Sequence, residues 1–186
     1  MNAIELMIEE HKVIKKVLSA IRAASITLLD SNKVDYDFFT NAIDFVRNFA
    51  DKHHHGKEEE MLFYLMHKHL SEEDVKEPLS GMYAEHDLGR LFISNLEYAL
   101  ENHQNGNNGA RVDIIANAIA YTDLLKRHID KEDNAIFKFA LRSLDDHTIE
   151  ELNSTVEKYE KEKSDTVKRY HQMAADLEKK VSTGVR

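Results

Sequence analysis

The chain has 186 residues, a formal charge of −9, 11 His, one Pro, six Gly and no Cys. This length supports one domain with a sizeable core. The lack of Cys excludes disulfides and thiolate metal ligands and points to the cytoplasm, while the acidic balance excludes nucleic acid as the expected partner. No run of about 18 apolar residues is present, so no membrane segment is expected, and the acidic start Met1-Asn2-Ala3-Ile4-Glu5 lacks the pattern of a signal peptide.

A first helix is expected over about Ala3 to Leu29, with Ile4, Met7, Ile8, Ile14, Leu18 and Ile21 on one buried stripe. A second runs from about Asp35, as N-cap, to Leu70, with Phe39, Ile43, Val46, Ala50, Met61 and Leu65 facing inward. Ser71-Glu72-Glu73-Asp74 reads as the cap of a short turn or loop. The third helix is expected to start around Pro78, in its first turn, and to end near Asn102. The Asn- and Gly-rich stretch 104–109 is the clearest loop. A fourth helix follows from about Ala110 to Leu144, and a more polar fifth from about Thr148 to Val181, striped by Leu152, Val156, Tyr159, Tyr170, Met173 and Leu177. The fold class expected is all-α: an up-down-up-down antiparallel four-helix bundle over 1–145 with an additional C-terminal helix over 146–186, both within one domain. The fifth helix is expected to lie across the bundle or to pair with another chain.

One motif occurs twice. His54-His55-Gly56-Lys57-Glu58-Glu59-Glu60-Met61-Leu62-Phe63 aligns without a gap on His128-Ile129-Asp130-Lys131-Glu132-Asp133-Asn134-Ala135-Ile136-Phe137. Residues four apart share a helix face, so each copy aims one imidazole and one carboxylate at the same point. His11, between Met7 and Leu18, and His86, between Met82 and Ile93, place a His on the stripe of each remaining bundle helix. Burying four imidazoles and two carboxylates without compensation is costly. Two cations bridged by Glu58 and Glu132, with His11, His54, His86 and His128 in terminal positions, resolve that cost, and this ligand set suits non-haem iron, with zinc and manganese as competitors. A ferritin-like carboxylate centre would need Glu-x-x-His, and no Glu here has a His three residues later.

The residues Glu10-His11, His54-His55-Gly56-Lys57-Glu58-Glu59 with Leu62-Phe63, Glu85-His86, and His128 to Glu132 with Ile136-Phe137 resemble the hemerythrin-like family, the HHE cation-binding domain, over about Met1 to Leu144. Tyr170-His171 also resembles a Tyr-His pair on an extra C-terminal helix of similar proteins. The resemblance implies a pair of non-haem irons with an oxo or hydroxo bridge, and metal ligands His11, His54, Glu58, His86, His128 and Glu132. It further implies a small-molecule ligand: dioxygen, nitric oxide or peroxide. The chain departs from the oxygen carriers at two points. Arg90 stands where they have a second His on the third helix, and Glu132 stands four residues after His128 where they have an Asp five residues on. The Cys-bearing segment of iron–sulfur repair relatives is absent.

His171 is a candidate for the missing fifth imidazole, against a plain surface role. His53 and His55 sit about 100° to either side of His54 on an ideal helix and are expected to be partly solvated or to hydrogen-bond a neighbour. His67, His69, His103 and His147 read as surface residues. Glu10 and Glu85 are expected either to orient the ligands or to pair with surface cations, and Tyr83 and Tyr121 either to donate to a bound oxygen species or to fill the core. A binding protein is the expected function, with peroxide or nitric oxide turnover as a catalytic variant and an electron donor as its partner. An iron, oxygen or redox sensor acting through the C-terminal helix is the alternative, and a metal-free bundle of His–Glu pairs is the third reading. Monomer and homodimer are both compatible with the sequence.

Overall fold

The first helix opens on Asn2, whose side chain accepts from the Glu5 backbone N–H at 2.8 Å while the Glu5 carboxylate accepts from the Asn2 N–H at 3.1 Å. In this computed structural model, which describes residues 2–184, that helix is α1, Ala3–Ser31, closed by Asn32 in the left-handed region at φ 56°. The next helical rod, α2, is built from Tyr36–Phe45, Val46–His55, Glu58–Phe63 and Tyr64–His69 in succession. Then come α3, Glu72–Gln104, and α4, made of Ala110–Lys131, Glu132–Ile136 and Phe137–Ser143. The last is α5, Asp146–Gly184. No strand occurs among the described residues, and no helix among them is long and apolar enough to cross a membrane.

The third helix starts earlier than the sequence suggested. Ser71 caps it, accepting from the Asp74 N–H at 3.2 Å, and Glu72, Glu73 and Asp74 supply the acidic first turn. Pro78 therefore lies inside the helix rather than in its first turn. Its ring is on the exposed face, and so is Asp74, whose carbonyl is left without an N–H partner and can be hydrated instead.

Three stretches are wound wider than an α-helix, as π-helix: Val46–His55 and Glu58–Phe63 in α2, and Glu132–Ile136 in α4. They carry His54, Glu58 and Glu132. Wide turns weaken local geometry and persist where surrounding contacts hold them.

The core is divided into two apolar clusters. One contains Ile14, Leu18, Phe45, Phe49, Ile93, Leu125 and Tyr170; the other contains Ile4, Met7, Phe63, Leu79, Ile136, Phe137 and Leu152. Each helix passes from one cluster to the other. Between Met7 and Ile14 on α1 lie Glu10 and His11, and between Phe49 and Leu62 on α2 lie residues 53–58. Likewise His86 separates Met82 from Ile93, and Glu132 separates Ile129 from Ile136. A buried polar layer is thus sealed above and below by side chains whose burial contributes about 1.5–3 kcal/mol each. Among the helix pairs, α3 packs most extensively on α4, while α1 packs on α4 and α5. The fifth helix runs along α1 and α2 instead of across the bundle, because its stripe of Leu152, Val156, Tyr170 and Leu177 joins both clusters.

Candidate metal centre

The polar layer brings together His11 from α1, His54 and Glu58 from α2, His86 from α3, and His128 and Glu132 from α4, each no more than 1 % exposed. Each imidazole is held from behind by a carboxylate. His11 Nδ1 is 2.7 Å from Asp133 Oδ1, His54 Nδ1 2.8 Å from Glu10 Oε2, His86 Nδ1 2.6 Å from Glu59 Oε1, and His128 Nδ1 3.0 Å from Glu85 Oε2. A carboxylate can only accept, so each Nδ1 carries the hydrogen and each ring turns its Nε2 inward. Glu59 and Asp133, which lie off the stripe on an ideal helix, are thereby explained.

The two inner carboxylates divide their oxygens between two sides. Glu58 Oε1 lies 3.4 Å from His54 Nε2 and 3.9 Å from His11 Nε2, while Glu58 Oε2 faces His86 Nε2 at 3.7 Å. Glu132 Oε2 lies 3.3 Å from His11 Nε2, while Glu132 Oε1 lies 3.0 Å from His128 Nε2 and 3.8 Å from His86 Nε2. All four carboxylate oxygens, with His11 Nε2 and His54 Nε2, are buried without a hydrogen-bond partner. The Nε2 atoms of His86 and His128 face each other at 2.9 Å, which two lone pairs tolerate only with a cation or a proton between them. Two imidazole nitrogens bound side by side at about 2.0–2.1 Å to one ion would be about 3 Å apart. The centre is a cage of acceptors, and the donor set fits a pair of metal ions.

Titration behaviour follows the same geometry. Burial opposes the charged form of His54, but the Glu58 carboxylate and the bond to Glu10 outweigh it and raise the pKa to about 10. His86, likewise opposed by burial, is raised to about 9 by the neighbouring Glu132 carboxylate and its bond to Glu59. Burial pushes Glu132 up, yet the charge of His128 and the close imidazoles of His11, His128 and His86 hold it well below 4.5. Protons on His54 and His86 thus supply positive charge to this layer of acceptors.

His53 and His55 are buried, at 2 % and 5 % exposure, contrary to the partly solvated reading. The buried arc of α2 is wider than an isolated stripe implies, because α5 covers one flank and α3 the other. His53 lies between the rings of Phe49 and Tyr159, with Nε2 3.1 Å from Glu10 Oε1 and 3.0 Å from Glu160 Oε1. Lys57, fully buried, pairs with Glu10 and, at 2.5 Å, with Glu160. Glu10 is therefore no surface partner. Burial raises its carboxyl, but bonds from His53 and His54 and the charges of His54 and Lys57 bring it well below 4.5. Glu85 combines both expectations, holding His128 and pairing with Lys131.

His55 stacks on His86 at 3.9 Å with the rings 8° apart, and its Nδ1 is 3.4 Å from Asp51 Oδ1. Burial and the neighbouring His86 lower its pKa to about 3, so the ring is neutral. A donor atom of His55 lies within 4.8 Å of donor atoms of Glu58, His86 and His128. Arg90, standing where a further His would be, turns to Asp51 at 2.7 Å and Glu59 at 2.8 Å. His171 is exposed on α5, edge-on to Phe49 at 5.6 Å, and does not join the layer. Tyr83 packs edge-on to Phe63, and His103 is half-buried with a nitrogen 2.5 Å from the Tyr36 hydroxyl.

No spacing rule in the sequence marks His55, Lys57 or Glu160 for these roles. The signal available was the unbroken run His53-His54-His55-Gly56-Lys57-Glu58, too polar for a helix with only one buried edge. The family described as the Hemerythrin HHE cation binding domain matches residues 2–140. Neither a curated protein nor a solved structure matches the chain. The match covers most of the sequence.

Proposed function

This chain belongs to the hemerythrin HHE cation-binding family, and from that premise we propose that it is a non-haem diiron protein that binds or reacts with a small ligand, dioxygen, nitric oxide or peroxide. One observation carries the reading: four imidazole Nε2 and four carboxylate oxygens converge in the buried layer, six of them without a hydrogen-bond partner. Their arrangement supports two ions, one between His11 and His54 with Glu58 Oε1 and Glu132 Oε2, the other between His86 and His128 with Glu58 Oε2 and Glu132 Oε1. An oxo or hydroxo bridge would complete the pair. When bound, two irons supply electrons in pairs to a small oxygen- or nitrogen-containing ligand.

The chain's own residues provide the rest. Glu10, Glu59, Glu85 and Asp133 fix each ring's tautomer and orientation. The two apolar clusters exclude water from above and below. The first four helices, read as an up-down-up-down antiparallel bundle, deliver the ligands from four sides. Support for that topology is the alternating order in which successive helices meet the two clusters. We further propose a cytoplasmic protein, in keeping with the absence of Cys, working as monomer or homodimer with an electron donor.

A second reading rests on Glu160. It links α5 through Lys57 and His53 to Glu10, which holds His54. A change at the metal could therefore be passed to the C-terminal helix and from there to a partner, as in a sensor. The test is metal analysis with a visible spectrum of untagged protein, then dioxygen titration of the reduced form and evacuation. About two irons per chain with reversible uptake indicates a carrier, and irreversible oxidation indicates a reactive centre. Metal-dependent proteolytic protection of α5 would favour the sensor. Absence of iron, with stability unmoved by adding it, contradicts the proposal.

A further inference from the structure

A pocket of about 80 Å³ lies against the His86 side of the layer, with Asp51, His55, His86, Gly89, Arg90 and Tyr121 among its walls. A water needs about 10–15 Å³ of such space, so the pocket admits a ligand of a few heavy atoms and no sugar, nucleotide or flavin. Two polar groups there are unused by the metal cage. Tyr121 is 2 % exposed and its hydroxyl has no partner among the described residues. Burial and the charge of nearby Asp51 keep that hydroxyl protonated, so it is a donor awaiting an acceptor.

His55 is the second group. Its Nδ1 faces the Asp51 carboxylate at 3.4 Å and carries the hydrogen, which leaves Nε2 as an acceptor. Ring geometry separates it from the ligands. An imidazole binds a metal in its own plane, along the nitrogen lone pair. Rings that could share one ion are steeply inclined here: His11 with His54 at 64° and 4.5 Å between centroids, His86 with His128 at 69° and 4.6 Å. His55 instead lies face to face with His86, 8° from parallel. An ion in the plane of His86 falls outside the plane of His55. The ring roofs that position without coordinating it.

Resting on the diiron reading, we infer that this pocket is a ligand subsite in which the Tyr121 hydroxyl donates to, and His55 Nε2 accepts from, a protonated dioxygen species, hydrogen peroxide or hydroperoxide. Dioxygen and nitric oxide offer acceptors only and would leave His55 Nε2 unpaired. A pocket built around both a donor and an acceptor discriminates against ligands lacking either. Gly89 narrows to the same space: a methyl group there would sit 3.4 Å from Leu125 and 3.5 Å from the Tyr121 ring, ordinary contact distances.

The experiment compares iron-loaded wild type with Tyr121→Phe, His55→Leu and Gly89→Ala, measuring iron per chain, the ferric visible spectrum, and binding of hydrogen peroxide and of nitric oxide by stopped flow. The subsite predicts that Tyr121→Phe and His55→Leu keep the iron content and spectrum of wild type. Each should weaken peroxide binding about tenfold or more, and His55→Leu should change nitric oxide affinity less than about twofold, since that ligand has no hydrogen to give His55. Gly89→Ala should slow association of both probes. Loss of iron in His55→Leu would make His55 a ligand and overturn the inference while leaving the diiron reading intact. Equal effects of His55→Leu on both probes, or no effect of either variant on peroxide, would overturn the hydrogen-bonding role. A wild type that holds no iron would remove the diiron reading itself.

Discussion

The two halves of the centre use the same donors and differ in what stands behind them. On the His11–His54 side, His54 is held by Glu10, and Glu10 is enclosed by His53, Lys57 and Glu160 under α5, with Glu10 and Lys57 at 3 % and 0 % exposure. On the His86–His128 side both backing carboxylates, Glu59 and Glu85, are half-buried, as Asp133 behind His11 is, and a pocket reaches His86 beside His55, Arg90 and Tyr121. One half is locked into a buried charge network; the other borders the space a ligand can reach. The difference teaches that a symmetric set of inward-facing side chains is made asymmetric by the helices around it, and that the fifth helix does the locking.

The largest expected effect breaks both halves at once. Glu58→Ala or Glu132→Ala removes a carboxylate shared between them, and iron content should fall from about two per chain to near zero by elemental analysis. Retention of full iron in either variant would break the comparison at its root. Next, Glu10→Ala should destabilise the metal-free protein by about 3–5 kcal/mol in urea unfolding, because it leaves Lys57 buried with a single carboxylate and His54 Nδ1 without one. A cost below about 1 kcal/mol would show that the locked half is not locked by charge.

Protonation sharpens the contrast between empty and loaded protein. The folded-state pKa of His54 is raised from 6.5 to about 10 and that of His86 to about 9. Their contribution to stability is therefore fully present below about 6.5 and lost as pH rises through about 9 to 10. Metal-free protein should lose stability in denaturant titrations over that window, and iron-loaded protein should not, since the metal replaces the protons. Parallel curves would contradict the cage.

The sequence made the ligand candidates legible because each lies on an apolar stripe at a four-residue spacing, a pattern that survives without knowing the neighbours. The gap-free repeat of His54–Phe63 on His128–Phe137 carried the most information. The layer behind the ligands was legible only in part. Glu59 and Asp133 fall off the stripe on an ideal helix, yet they reach His86 and His11 on other helices. Those contacts depend on packing between chains of helix that no spacing rule encodes. The wide turns at 46–55 and 58–63 also shift the phase on which the ideal-helix reading relied. His53 and His55 read as partly solvated because the sequence does not say that α5 and α3 close both flanks of α2. Pro78 misled in the opposite sense, since a proline is tolerated deeper in a helix when the orphaned carbonyl faces water.

Two smaller effects complete the comparison. Glu59→Ala should weaken iron binding about 10–100-fold at the His86–His128 half only, visible as biphasic iron release to a chelator. Single-phase release would make the halves equivalent. His171→Ala, at an exposed position on α5, should leave iron content and spectrum unchanged; loss of iron would restore it as a ligand.

The most direct measurement is anomalous scattering at the iron edge from crystals of loaded protein. The account predicts two peaks, one against His11 and His54, the other against His86 and His128, both within bonding distance of Glu58 and Glu132. A single peak, or iron seated between Glu10, His53 and Glu160, would contradict it.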